Sequence, residues 1–281
     1  LTVRALITIA GGAPTSGAGV TADLHVFRDF GFHGLWTLTA AIDQDTQSVS
    51  QIVPIEPLFI SHTLKRLLSI EGVLGIKIGL LPTVESVLAV AHILASCVDI
   101  PVVFDPVLEN ERGDNLTEKG VHEVILSELL PCCTVVTPNI KETRILTSIE
   151  VHDLESAQRA GTVLREKGVK AALIKGGHLP RAAGDVLVSE NGHKWYENKE
   201  KYPASVHGTG CHLSSALLAC IVSGLTLERA VMSAKGYLNR CVAHAKQFSF
   251  PGEDRRSRPV VIHGPETVEA ARTVLSGEGM G

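Results

Sequence analysis

Short runs of consecutive apolar residues alternate along this chain with longer stretches in which apolar positions recur every three or four residues. The first pattern marks strands buried on both faces, and the second marks helices that cover one face. Strands are predicted at Ala5–Ala10, Leu35–Thr39, Gly75–Ile78, Val102–Phe104, Val135–Thr137 and Ala171–Ile174. Helices are predicted at Val20–Phe30, Pro57–Ser69, Thr83–Cys97, Lys119–Leu129 and Leu154–Glu166. Strand and helix in turn describe an α/β fold with a mainly parallel sheet and crossover helices. Asp185–Val188 and Lys194–Tyr196, joined through Asn191-Gly192, read as a hairpin at the sheet edge. Two helices follow, about Cys211–Val222 and Leu227–Lys246. From Phe248 the chain turns polar and rich in breakers, with one further helix expected at Pro265–Leu275. The expected organisation is a domain over residues 1–248 and a C-terminal surface appendage over 249–281.

The 281 residues are 44% hydrophobic and 20% charged, enough for one large domain with its own core. Twenty-six basic against thirty acidic side chains leave a net charge of −4 with no long run of either sign. That balance gives no electrostatic footprint for nucleic acid and favours a small-molecule partner. The six cysteines lack C-x-x-C spacing and sit mostly among apolar residues, as buried thiols of a reducing cytoplasm do. No stretch reaches the roughly 18 apolar residues of a membrane helix, and Leu1 to Ala10 is too short for a signal peptide, so a cytoplasmic location off the membrane is expected.

The candidate chemistry follows the predicted strands. Gly11-Gly12-Ala13-Pro14-Thr15-Ser16-Gly17-Ala18-Gly19 is a glycine-rich loop opening a helix. It contains G-x-G-x-x-A at Gly17–Ala22, a dinucleotide fingerprint, but Gly17 stands seven residues past Ala10, where the fingerprint follows its strand directly. His207-Gly208-Thr209-Gly210-Cys211-His212 leads into another helix. Two glycines around Thr209 at a helix start expose backbone N–H groups where the dipole favours negative charge, an anion hole suited to a transferring phosphoryl group. The same position is expected to lower the Cys211 thiol toward a usable base. Asp105 ends one strand and Asn139-Ile140-Lys141-Glu142 follows another; their carboxylates are candidates for holding Mg²⁺, although Asn-x-x-Glu also reads as a helix cap. Lys175, before Gly176-Gly177-His178, is placed to meet nucleotide phosphates or to be a solvated turn lysine.

In this order the motifs resemble the hydroxymethylpyrimidine/phosphomethylpyrimidine kinase family of the ribokinase superfamily, from about Ala5 to Ala245. The resemblance rests on Ala5–Gly11 with Gly17–Leu24, Thr39–Gln47, Gly75–Gly79, Asp105–Val107, Thr137–Glu142, Lys175–His178 and His207–Cys211. It implies a ribokinase-like three-layer sandwich with helices on both faces of the sheet. It also implies two ATP-dependent phosphorylations of 4-amino-5-hydroxymethyl-2-methylpyrimidine in thiamine diphosphate biosynthesis. By the resemblance Cys211 is the base and Gly208, Thr209 and Gly210 complete the anion hole. Asp105 and Glu142 would organise Mg²⁺, with Asn139 and Lys175 near ATP, while Gly11, Ala18, Asp23, Gln44 and Val107 would line the pyrimidine pocket. The sequence departs from the family pattern at Gly12-Ala13-Pro14-Thr15, at Leu108–Arg112 and at Leu80. The expected partners are the pyrimidine and a second copy in a homodimer. Competing readings are a pyridoxal kinase of the same superfamily, a dinucleotide-dependent dehydrogenase and a non-catalytic pyrimidine sensor.

Overall fold

The structure is a computed structural model that describes residues 3–44, 49–110, 113–176, 184–197, 206–246 and 259–277. Its strands are β1 (Ala5–Gly12), β2 (His33–Gln44), β3 (Val49–Pro54), β4 (Val73–Ile78), β5 (Val102–Phe104), β6 (Val135–Val136), β7 (Ala171–Gly176), β8 (Gly184–Ser189) and β9 (Gly192–Glu197). Its helices are α1 (Gly19–Asp29), α2 (Pro57–Leu68), α3 (Val84–Leu94), α4 (Val121–Val124), α5 (Ile140–Thr147), α6 (Leu154–Glu166), α7 (Thr209–Val222), α8 (Leu227–Ala243) and α9 (Pro265–Ser276).

The strands form one sheet in the order β3-β2-β1-β4-β5-β6-β7-β8-β9. From β2 to β7 neighbours run parallel, and antiparallel strands close both edges. Alternation along the central strands builds two cores. Ile7, Ile9, Ile76, Ile78, Phe104 and Val136 turn toward α2, α3 and α6. Leu6, Val103, Val135 and Leu173 turn the other way, toward α1, α7, α8 and α9. The result is the expected three layers. Local signals fix the helix starts: Pro57 opens α2, and the side chains of Thr83, Asn139 and Asp153 cap α3, α5 and α6. The predicted helix Lys119–Leu129 is only one α-turn, α4, running on into a π-helical turn at Ile125–Leu129.

The C-terminal appendage is not observed over residues 259–277. Val260 and Val261 are buried, and α9 buries Ala270, Ala271 and Val274 in the core that α1, α7 and α8 share. The apolar spacing of α9 matches a groove left by α1 and α8, so the segment belongs to the domain. Residues 249–258, where the appendage was expected to begin, lie outside the described residues.

Candidate active site

Parallel strands that stop at one edge bring their following loops together, and ligands of open α/β sheets bind beyond such carboxyl ends. Here that edge collects Gly11 and Gly12 from β1, Gly79 after β4, Asp105 after β5, Asn139 after β6 and Lys175 of β7. Helix α7 starts over the same edge. Gly208, its cap, has φ +82, and a Cβ there would overlap the Gly17 carbonyl oxygen, so only glycine lets the two loops press together. A Cβ on Gly210 would stand 3.2 Å from Asp105 Oδ2 and 3.3 Å from Lys175 Nζ. The expected anion hole, carboxylate and lysine are therefore one cluster.

Within it Lys175 Nζ donates to Asp105 Oδ1 at 2.7 Å, and Thr137 Oγ1 donates to the same oxygen at 3.0 Å. Burial works to raise the Asp105 carboxyl, but the Lys175 and Lys77 charges and these bonds hold it below its ordinary value. Burial opposes the charge on Lys175 too, and Asp105 and Glu142 keep it above the ordinary lysine value. Glu142 is pushed up to about 8, first by burial and then by Asp105 and Glu109 against the pull of Lys175. Asn139 and Glu142 make a reciprocal cap: Glu142 N donates to Asn139 Oδ1 at 2.9 Å and Asn139 N to Glu142 Oε2 at 2.7 Å. The helix-cap alternative for this motif is thus realised, and it leaves one Glu142 oxygen for other work.

A second, fully buried cluster lies behind the first. Lys77, on β4, donates to Asp23 Oδ2 at 2.8 Å; Thr8 donates to the same oxygen at 2.6 Å and Ser215 to Asp23 Oδ1 at 2.8 Å. Both ends of this pair have no exposure. Burial favours a neutral lysine, but Asp23, Cys211 and Asp105 hold the Lys77 ammonium above its ordinary value. Asp23 is therefore a support behind the site, with both oxygens bonded inward, and does not line a pyrimidine pocket as expected. Lys77, Thr8 and Ser215 were not singled out from the sequence for a role of their own. The available signal was a charge inside Gly75-Ile76-Lys77-Ile78, a strand otherwise apolar on both faces.

The expected lowering of the Cys211 thiol is overturned. Cys211 is buried in the first turn of α7, and burial pushes its thiol up to about 11; Asp23 and Asp105 add to this, against Lys77 and a hydrogen bond with the Gly19 backbone. Desolvation of a thiolate outweighs the helix terminus here.

On the far side of the edge, Gly11 packs under Ile42 and Leu80, where a Cβ would come within 2.6 Å of Ile42 Cδ1. Ala18 caps α1, and Ala18, Val107 and Gln44 are half-buried. Gly12 pairs with Ala41, so Gln44 stands three residues further along β2, overhanging the edge. Residues 45–47 of the expected pyrimidine segment, and Gly177-His178 after Lys175, lie outside the described residues. No three His, Cys, Asp or Glu side chains gather into a metal cluster among the described residues.

A sequence model of phosphomethylpyrimidine kinases matches residues 13–252. The chain belongs to that family. Against the hydroxymethylpyrimidine/phosphomethylpyrimidine kinase of Staphylococcus aureus, the kinase is 32% identical over 245 residues, 86% of this chain and 89% of the relative. A phosphomethylpyrimidine kinase crystal structure from Clostridium difficile superposes with TM-score 0.76 at 30% identity, covering 84% of this chain and 98% of that one. The pyridoxal kinase of Staphylococcus aureus in complex with ADP superposes with TM-score 0.83 at 27% identity, covering 94% of each chain. The kinase has the ribokinase-like fold, and the dinucleotide fingerprint at Gly17 is a coincidence of glycine spacing in the β1–α1 loop.

Proposed function

We propose that this kinase transfers the γ-phosphoryl group of ATP to the hydroxymethyl oxygen of 4-amino-5-hydroxymethyl-2-methylpyrimidine, and then phosphorylates the monophosphate, in thiamine diphosphate biosynthesis. The observation that carries the reading is the meeting of the Gly208–Cys211 turn with Asp105 and Lys175 at one strand edge. Backbone donors at the start of α7 and the Lys175 ammonium face the space where phosphoryl charge develops, and phosphoryl transfer needs mainly such positioning and charge. Cys211 is the base. Its thiol is protonated in the free site, which suits a loose transition state where the attacking alcohol loses its proton late. Lys77 is the group that eases this ionisation, since its charge opposes the effect of burial.

Asp105 and Glu142 suit Mg²⁺: they are hard oxygen donors, one just after β5 and the other in the first turn of α5 beyond the adjacent β6, and a cation would favour the charged form of Glu142 that burial, with Asp105 and Glu109, opposes. With two protein carboxylates, waters and phosphate oxygens would complete its shell, and the ion would neutralise phosphate charge. Gln44 is the candidate pyrimidine reader, because one amide both donates to a ring nitrogen and accepts from an amino group.

The more extensive superposition on a pyridoxal kinase supports a second reading, phosphorylation of pyridoxal. ATP consumption measured across the hydroxymethylpyrimidine, its monophosphate, pyridoxal and pyridoxine decides between them. The pyrimidine should have the higher kcat/KM, because a polar group left unpaired by the wrong ring costs about 1–3 kcal/mol. Equal or faster turnover of pyridoxal would replace the first reading with the second.

A further inference from the structure

A chain of buried side chains outside the phosphoryl site ends on one of its backbone groups. Tyr237 Oη on α8 donates to Asp29 Oδ2 at 2.8 Å, and His263 Nδ1, in the segment before α9, lies 2.7 Å from the same oxygen. His263 Nε2 lies 3.0 Å from His212 Nε2, and His212 Nδ1 lies 2.8 Å from the Gly208 carbonyl oxygen. The two imidazoles stack with centroids 5.1 Å apart.

The protons in this chain can be assigned by elimination. A carbonyl only accepts, so His212 Nδ1 carries a hydrogen. Burial, with His263 beside it, holds His212 down to about 3, so it is neutral and its Nε2 is bare. The nitrogen facing that lone pair, His263 Nε2, must then donate. Burial works to raise the Asp29 carboxyl, but the bonds from His263, Thr267 and Tyr237 hold it below its ordinary value, so it is ionised and only accepts. His263 Nδ1 must donate to it. Both His263 nitrogens carry hydrogen, and the ring is an imidazolium paired with Asp29.

The backbone ties the same segment to the same loop. His207 N donates to Pro259 O at 2.9 Å, and Val260 exchanges two bonds with Lys246. The Val260 side chain lies where a Cβ on Gly17 would be 2.8 Å away, so the segment touches both the His207 loop and the Gly17 loop that presses on Gly208. A peptide unit is planar, with its N–H opposite its C=O. Fixing the Gly208 carbonyl on His212 therefore aims the Thr209 N–H out of the helix start, toward a bound anion.

We propose that His263 is a positioning residue for phosphoryl transfer: held by Asp29, it orients the His212 ring, which adds a second bond to the Gly208 carbonyl oxygen beside the one from His212 N at 3.1 Å. The inference rests on the reading of Gly208–Cys211 as the anion hole.

Imidazole ¹⁵N NMR of the wild-type protein near neutral pH tests the assignment without any variant. Two protonated nitrogens on His263 and one, Nδ1, on His212 are expected; a neutral His263 overturns the proposal. Kinetics test the role, using whichever alcohol the wild type phosphorylates, so that an error about the substrate does not affect the result. His263→Leu should lower kcat about tenfold with little change in KM, the scale of a misplaced catalytic group. His263→Gln, which keeps an amide donor, should restore much of kcat. His263→Leu with wild-type kcat overturns the proposal. Backbone ¹⁵N shifts on adding ADP with beryllium fluoride separate the two levels: unmoved Thr209 and Gly210 amides would overturn the anion-hole reading and this inference with it. Shifted amides beside an unaffected His263→Leu would overturn this inference alone.

Discussion

Lys77→Met removes the cation from a pair with no solvent contact. At 2.8 Å, an effective dielectric of about 20 gives a bare attraction near 6 kcal/mol, an upper limit. Breaking a buried pair from one side costs about 3–5 kcal/mol, mostly the desolvation of the charge left behind. Asp23 keeps the hydroxyl donors of Thr8 and Ser215, so the expected loss is at the lower end, about 3 kcal/mol. The assay is urea unfolding of wild type, Lys77→Met and the double variant Lys77→Met/Asp23→Asn. Removing both charges should recover the loss to within about 1–2 kcal/mol. The pH dependence has a definite sign. In Lys77→Met, burial raises the Asp23 carboxyl in the folded state with no ammonium to oppose it. A raised folded value favours the protonated form, so stability is retained at low pH and lost as pH rises through that value. A Lys77→Met deficit below about 1 kcal/mol that stays flat between about pH 5 and 8 would refute the reasoning.

The same substitution bears on catalysis through Cys211, and three further outcomes are expected. Cys211→Ala should lower kcat by about 10²–10⁴ with substrate affinity little changed, and wild-type kcat/KM should carry a component that climbs at alkaline pH toward a thiol near 11. Steady-state kinetics against pH check both, and a Cys211→Ala enzyme with wild-type kcat would assign the base elsewhere. Asp105→Asn with Glu142→Gln should raise the Mg²⁺ concentration needed for half-maximal rate and lower kcat, as read by Mg²⁺ titration at saturating ATP. Gly208→Ala forces a methyl group onto the Gly17 carbonyl at a positive φ, so kcat should fall by about tenfold or more, with thermal unfolding measured alongside to record any loss of stability.

The parallel core of the sheet was legible because β1, β4, β5, β6 and β7 are apolar runs that need only local pattern to be seen. Strand β3 was not: its residues are half-buried or exposed, so Val49–Pro54 lacks the apolar alternation that marks a strand. The hairpin of β8 and β9 announced itself through Asn191-Gly192. In the site, the glycines and Asp105 could be placed because strand ends follow from the strand pattern. Asp23 could not, since its partners are 15, 54 and 192 residues away and a sequence does not show which carboxylates face inward. The Cys211 thiol was misjudged for the same reason. The helix terminus that lowers it is local and visible, while the burial that raises it comes from the whole fold. The C-terminal segment was misread because its polar approach hid the short apolar pair Val260-Val261 and the small residues of α9.

The node that joins Asp23 to Lys77 and Ser215 also sets when this protein becomes competent during synthesis. Ser215 follows Asp23 by 192 residues, so on a ribosome adding about 5–20 residues per second Asp23 waits roughly 10–40 s for Ser215 of α7. During that wait neither the Gly208 turn nor the cover over Lys77 exists, and the paired charges stay in water, where keeping them costs little. Docking of α7 and closure of the Gly17–Gly208 contact then bury the pair and complete the site together. No N-terminal fragment ending before α7 should bind a phosphoryl group at this edge, however well its strands have paired.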